Sequence, residues 1–195
     1  MAEPAEGLRR PAIGGRLPWS LPGDAAGPRI VLTELSFARQ IALRWRPPAS
    51  AYLAGLPLPL EPNRVASMGP VRTLWLGPDE WLVTAPDGTA PELLTRLARA
   101  IAGQPAAIID LSSSRAVVEI AGRMARTLLE KGCGLDLHPR AFAPGHCAQT
   151  LVARVPIILD QLSAAPAYRL FVRRSAARWL CDWLIDAAEE FRSVS

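Results

Sequence analysis

Apolar and polar positions alternate with a period of two over several short stretches of this chain, and with helical spacing over a few others. Ile41, Leu43 and Trp45 alternate with Ala42, Arg44 and Arg46, the pattern of a half-buried strand, and Pro47-Pro48 ends it. Ile30 to Leu35 predicts a strand before it. Residues 47–70 are proline-rich with little period and predict a surface loop. Thr73–Leu76 and Trp81–Thr84 predict a hairpin about Gly77-Pro78-Asp79-Glu80, residues whose backbone preferences suit a tight turn. Thr89 is the expected cap of a following helix, with Pro91 and Glu92 in its first turn and Gly103 at its end. Leu93, Leu94, Leu97, Ala98 and Ile101 form that helix's apolar face.

A second unit repeats the theme. Strands are expected over Ala106–Leu111 and Arg115–Ile120, with Ser112-Ser113-Ser114 as the loop between them. Gly122 turns into a helix over Arg123–Lys131 with Gly132 as its C′ residue. A loop over Gly134–Cys147 leads to strands at Gln149–Val155, Ile157–Leu162 and Tyr168–Val172. The last helix is the clearest, with Ser175 as its expected cap and Trp179, Leu180, Trp183, Leu184, Ala187 and Phe191 as its inward stripe. Twice, at 73–102 and at 168–191, apolar strands feed directly into an amphipathic helix, which points to a structural duplication. The fold class is α+β, with helices covering one face of each antiparallel sheet.

Residues 1–27 are rich in Pro, Gly and Ala, show no period and predict a disordered or extended arm. Order is expected from near Pro28, so that residues 28–195 form one α+β domain. Trp19, with Leu21, would anchor the arm on a neighbouring protein.

Composition narrows the function classes. The chain has 195 residues, half of them apolar, enough for one compact domain of two lobes without disulfides or metals. No apolar run approaches the roughly 20 residues of a membrane span, and Arg9-Arg10 is not followed by the apolar segment of a signal peptide. Three cysteines are an odd count and too few for a disulfide framework, which suits reduced thiols in the cytoplasm. The net charge is +4, but the arginines are scattered and Lys131 is the one lysine, so no basic face for nucleic acid is evident.

No strong catalytic constellation is present. There is no phosphate-binding glycine loop, dinucleotide fingerprint or nucleophile elbow. Asp110-Leu111-Ser112-Ser113-Ser114 places hydroxyls near a carboxylate, which serves turn hydrogen bonds more readily than catalysis. Cys133, His138, His146 and Cys147 lack the short chelating pairs of a zinc site and are expected as core cysteines flanking a loop, with exposed histidines. Trp179 and Trp183 are expected in the core. Trp75 and Trp81 share the first hairpin; each on its own reads as core, while the hairpin's rim also offers a face to a partner. Trp19, Trp75 and Trp81 are therefore the candidate partner-interface residues, tryptophan being enriched at interface hot spots.

Trp75-Leu-Gly-Pro-Asp-Glu-Trp-Leu82 resembles a motif of sarcosine oxidase gamma subunits. So do Ile109-Asp-Leu-Ser-Ser-Ser-Arg115, the Gly122 turn, the Leu128–Cys133 helix end, Gly134-Leu-Asp-Leu-His-Pro-Arg-Ala-Phe142 with Pro144-Gly145, and the final strand and helix. The resemblance covers roughly residues 28–191. It implies two intertwined ferredoxin-like lobes, similar to the folate-binding domain of the glycine-cleavage T-protein. It implies a non-catalytic subunit assembled with alpha, beta and delta subunits, alpha being the expected contact. That complex oxidises sarcosine to glycine and passes the one-carbon unit to tetrahydrofolate. FAD, FMN, NAD and zinc would belong to the other subunits and none to this chain. Another N-methyl-amino-acid oxidising complex would use an equivalent subunit. Two alternatives stand beside it. One is a stand-alone folate-binding one-carbon carrier, for which Asp110 or Asp160 would face the pterin. The other is a folate-dependent iron–sulfur maintenance protein, whose Lys-Gly-Cys motif Lys131-Gly132-Cys133 matches without the expected continuation.

Overall fold

The computed structural model describes residues 10–25, 27–46, 52–88 and 92–192. In chain order the elements are β1 (Trp19–Leu21), β2 (Ile30–Glu34), β3 (Arg39–Trp45), β4 (Tyr52–Leu53), β5 (Leu56–Pro57), β6 (Val65–Met68), β7 (Val71–Gly77), β8 (Glu80–Ala85) and α1 (Leu93–Ala100). Then follow β9 (Ala106–Asp110), β10 (Arg115–Ala121), α2 (Ala125–Glu130), β11 (Cys147–Val152), β12 (Val155–Ser163), β13 (Ala167–Arg173) and α3 (Arg174–Glu189). A single 3-10 turn, Glu190–Arg192, closes the described chain.

Two antiparallel sheets result. The first has the order β1-β2-β10-β13-β12-β11 and the second β6-β7-β8-β3-β9. β8 and β9 flank β3, each antiparallel to it, so α1 links two mutually parallel strands across a third. β10 and β12 stand in the same relation to β13. This recurrence relates the segment β8–α1–β9 to the segment from β10 through α2 to β12, and not the 73–102 and 168–191 segments of the strand–helix rhythm. The lobes are intertwined because the chain starts the first sheet with β1 and β2, builds the whole second sheet, and then returns at β10 beside β2.

Alternation along the strands sorts the side chains into three cores. Val118, Ile120, Leu159, Leu170 and Val172 meet Leu128, Leu180 and Leu184 of α2 and α3 on the outer face of the first sheet. Ile41, Leu43, Trp81 and Val83 meet Leu93 and Leu97 of α1 on the outer face of the second. Leu74, Leu82, Val117, Ile158 and Phe171 fill a seam between the two sheets. The layers therefore run helix, sheet, sheet, helices. Each fully buried leucine of these cores contributes about 2 kcal/mol of transfer free energy.

Several expectations need correction. Order begins well before Pro28: Trp19–Leu21 pairs with Ile30–Leu32, and Ile13 and Leu21 are buried in the first core. The main-chain N–H groups of Ala12 and Ile13 donate to the Glu34 carboxylate, so the described part of the arm is tied to the first sheet there and through β1. Residues 52–70 are not a plain surface loop. They carry the β4–β5 hairpin and β6, and bury Leu53, Leu56 and Leu58 beneath α1, because apolar residues spaced by prolines still reach a core. The hairpin β11–β12 turns at Ala153-Arg154, both with positive φ (47° and 68°), rather than beside Pro156. Ser175 does not cap α3, which starts one residue earlier at Arg174 with no side-chain cap. The Arg174 N–H donates to the Ser114 carbonyl instead. The expected cap Thr89 and first-turn Pro91 lie outside the described residues.

Candidate functional site

The inter-sheet seam is where charged side chains enter the interior. On β7 and β12, Arg72 and Asp160 point into it from opposite sheets. Arg72 Nη2 and Nε donate to Asp160 Oδ1 and Oδ2 at 2.6 and 2.7 Å, and Asp160 is fully buried. A two-bond arginine–carboxylate pair of this kind fixes orientation as well as charge, and it locks one sheet to the other. On the seam face of β10 and β13, Arg169 donates through Nε and Nη2 to Glu119 Oε1 at 3.0 and 2.5 Å.

Asp110 lies at the end of edge strand β9. Its Oδ1 accepts bonds from the Ser112 hydroxyl at 2.5 Å and the Ser112 N–H at 2.9 Å, and Oδ2 faces Arg39 at 3.3 Å. Partial burial raises its pKa, but the Ser112 bonds and Arg39 outweigh it and hold the carboxyl below its ordinary value. The Ser112 hydroxyl also accepts from the Gln40 N–H at 3.0 Å. The Asp110–Ser112 pair thus knits the β9–β10 turn onto β3, as its turn chemistry predicts. Of the two carboxylates expected to face a pterin, Asp160 is paired with Arg72 and fully buried, whereas Asp110 is engaged by its own turn and Arg39 with its side chain 39% exposed.

The three tryptophans singled out for a partner fall in different places. Trp81 is fully buried in the second core and donates from Nε1 to the Pro59 carbonyl at 2.8 Å. Trp75 is its cross-strand partner on β7 and is half-buried. Trp19, on β1, is half-buried against the first core. The helix α3 stripe differs from expectation. Ala177, Leu180, Cys181, Leu184 and Ala188 face the sheet, and Trp179 is 52% exposed.

The cysteines and histidines are spread along one loop and its neighbours. The Cys147 thiol lies in the seam and donates toward the Trp75 and Arg64 carbonyls at 3.4 and 3.5 Å. Burial first, then the Asp160 charge, push its pKa up to about 12, so it stays a thiol. His138 Nδ1 and His146 Nδ1 accept main-chain bonds from Arg140 and Ala143. Among the described residues, no three His, Cys, Asp or Glu side chains are grouped to hold a metal ion.

Lys131-Gly132-Cys133 is accounted for by packing. Lys131 Nζ donates to the Ala187 carbonyl at 2.7 Å, pairs with Glu190 and lies 4.3 Å from the Phe191 ring centre. Gly132 is not a left-handed cap, since its φ is not positive. It is glycine because a Cβ there would stand 2.6 Å from the Trp183 ring. Cys133 is buried beside Thr150.

The seam's ion pairs escaped the sequence reading. Arg72, Asp160, Glu119 and Arg169 are charged residues at positions whose strand parity matches buried neighbours such as Leu74, Ile158, Val117 and Phe171. That parity was the available signal, but it identifies partners only once the sheet order is known.

The α+β architecture, two antiparallel sheets with helices on their outer faces, is shared with solved proteins. It resembles the glycine cleavage system aminomethyltransferase T from Bartonella henselae with a TM-score of 0.60 at 16% identity, over 79% of this chain and 45% of that one. Residues 47–190 match the sarcosine oxidase, gamma subunit family. The "Sarcosine oxidase subunit gamma" of Arthrobacter sp is 38% identical over 177 residues, covering 88% of this chain and 85% of the relative. That of Corynebacterium sp. (strain P-1) is 37% identical over the same length. A chain of the heterotetrameric sarcosine oxidase from Corynebacterium sp. U-96, solved in complex with pyrrole 2-carboxylate, superposes with a TM-score of 0.80 at 32% identity over 90% of both chains. The chain belongs to the sarcosine oxidase gamma subunit family.

Proposed function

We propose that this chain is the gamma subunit of a heterotetrameric sarcosine oxidase and acts in it as a structural partner rather than as a reaction centre. The carrying observation is the superposition over 90% of both chains on a component of such a complex. The internal chemistry supports it: the seam carboxylates Asp160 and Glu119 are occupied by arginines, and the Cys147 thiol is held protonated. The alpha, beta and delta subunits would be its partners, with alpha the main contact. Those subunits would carry FAD, FMN, NAD and zinc, demethylate sarcosine and pass the one-carbon unit to tetrahydrofolate. The half-buried Trp19 and Trp75 remain candidates for the interface, whereas Trp81 contributes from within the core that supports the hairpin. None of the helices among the described residues is long and apolar enough to cross a membrane.

The test is co-expression of this chain, tagged, with the alpha, beta and delta subunits, followed by the mass and absorbance spectrum of what elutes. A yellow complex with one copy of each chain and sarcosine-dependent oxygen uptake is expected. A colourless monomer that ignores those partners and binds tetrahydrofolate directly would replace this reading with that of a stand-alone folate carrier.

A further inference from the structure

Two arginines at the mouth of the seam, Arg115 half-buried and Arg173 exposed, lack the compensation that the other seam charges have. On β10 and β13 the residues facing the seam form three cross-strand pairs: Glu119 with Arg169, Val117 with Phe171, and Arg115 with Arg173. The first is an ion pair and the second is apolar. The third sets two like charges directly opposite each other, an arrangement that destabilises a sheet. Arg115 Nη1 is buried without a hydrogen-bond partner, and among the described residues neither guanidinium has a carboxylate within ion-pair distance. Burial first and Arg173 second draw the Arg115 pKa below its ordinary value, with Glu80 opposing. Glu80 itself is paired to Arg44 at 2.7 Å.

Both arginines line one open groove of about 370 Å³ at the free edge of the first sheet. Its floor is Ile158 and Phe171, and its rim is Gln149 and Leu151 of edge strand β11, where Leu151 is half exposed. An apolar floor, two guanidinium groups and a strand edge suit an acidic side chain presented by another polypeptide, with its carboxylate between the arginines and its stem on Phe171. Arginine is enriched in interface cores for this kind of two-bond recognition of carboxylate.

We infer that the Arg115–Arg173 groove receives an aspartate or glutamate side chain from another subunit of the assembly. The inference rests on the gamma-subunit reading above. The occupant supplies the charge that this chain withholds. Stability of the free chain and strength of assembly therefore depend on Arg173 with opposite signs.

The test uses the complex co-expressed with its partners, and separately the isolated full chain. The variants are Arg173→Met and Arg173→Glu, with Arg178→Glu on the exposed face of α3 as control. Arg173→Met should raise the melting temperature of the isolated chain by about 2–4 °C, since it removes a like-charge contact. In the complex, Arg173→Met should weaken retention of this chain by about tenfold, and Arg173→Glu by more. Retention in the wild-type complex should also fall more steeply with added salt than retention in the Arg173→Met complex, the two converging at high salt. Parallel loss of stability and assembly would make the arginine merely structural and overturn the inference, as would unchanged assembly in both variants. Saturable stabilisation of the isolated wild-type chain by millimolar acetate or glutarate, lost in Arg173→Met with assembly intact, would overturn it in favour of a small-molecule site. A wild-type chain that fails to assemble at all would sink the gamma-subunit reading itself, an outcome visible before any variant is made.

Discussion

Gly132 and Trp183 are packed so closely that a Cβ at Gly132 would lie 2.6 Å from Trp183 Cη2, with the Ala153 nitrogen 3.0 Å away. The contact joins three elements: the end of α2, the β11–β12 turn and helix α3. The turn is also tied to the same glycine by the Ala153 N–H, which donates to the Gly132 carbonyl at 2.9 Å. Nothing there is free to move away, because one obstacle is a rigid ring and the other is backbone. Gly132→Ala should therefore destabilise the chain by about 1–3 kcal/mol, the usual cost of overpacking. Denaturant unfolding measures it. Trp183→Leu in the Gly132→Ala background should recover part of the loss, since it removes the nearer obstacle.

The Arg72–Asp160 pair should behave as a buried charge pair rather than a surface one. Asp160→Asn leaves the Arg72 guanidinium in the seam with no full countercharge and should cost about 3–5 kcal/mol. Replacing both, as Arg72→Met with Asp160→Leu, should restore most of that stability, because each charge then loses its need for the other. A double-mutant cycle in urea distinguishes this from a packing defect, which the double variant would deepen.

The hairpins were legible because two signals coincide in them. Period-two alternation marks strands such as Ile41–Trp45, and Gly77-Pro78-Asp79 supplies turn chemistry that few other structures tolerate. The orientation of α3 was legible only in part: Arg178, Asp182, Asp186 and Glu189 mark its polar face, and Leu180 and Leu184 of the expected stripe are buried, but the tryptophans lie at its border. Trp179, Trp183 and Ala187 form one stripe at i, i+4, i+8, and Ala177, Cys181, Leu184 and Ala188 another. Burial selects the second, whose smaller side chains let the helix lie close to the strands. Gly132 was misread because a helix-terminal glycine has two uses, a left-handed conformation or a close approach, and only the neighbour across the fold tells them apart. The Arg115–Arg173 opposition was invisible for a related reason: the two residues are 58 positions apart, and only the β10–β13 register brings them together.

The tryptophans give a prediction in which size is held constant and burial varies. Trp81 is fully enclosed in the second core, so Trp81→Ala should cost about 3–5 kcal/mol. Trp179 is 52% exposed on α3, so Trp179→Ala should change the stability of the isolated chain by only about 0.5 kcal/mol or less. Tryptophan fluorescence gives a second check. Acrylamide should quench the emission lost in Trp179→Ala far more readily than the emission lost on conservative replacement of Trp81 by Phe.

Cys147 ties the seam to pH. Its thiol is pushed up to about 12 from an ordinary 9.0, by burial first and by Asp160 second. In the unfolded chain the thiol ionises as pH rises through 9, while in the folded chain it keeps its proton. The folded state then binds more protons than the unfolded one, so stability must fall as pH rises above 9, by about 1.4 kcal/mol per pH unit for this group. Below 9 both states are protonated and the group contributes no slope. Cys181, pushed up to about 11 by burial and then by Asp182, adds a similar slope that ends one unit earlier. Cys147→Ala should therefore flatten the alkaline limb of stability against pH without altering the limb below pH 8, apart from a constant offset for the lost packing. Urea midpoints from pH 7 to 10.5, compared between wild type and variant, measure the difference. An unchanged alkaline slope in the variant would show that the thiol ionises as readily in the fold as outside it.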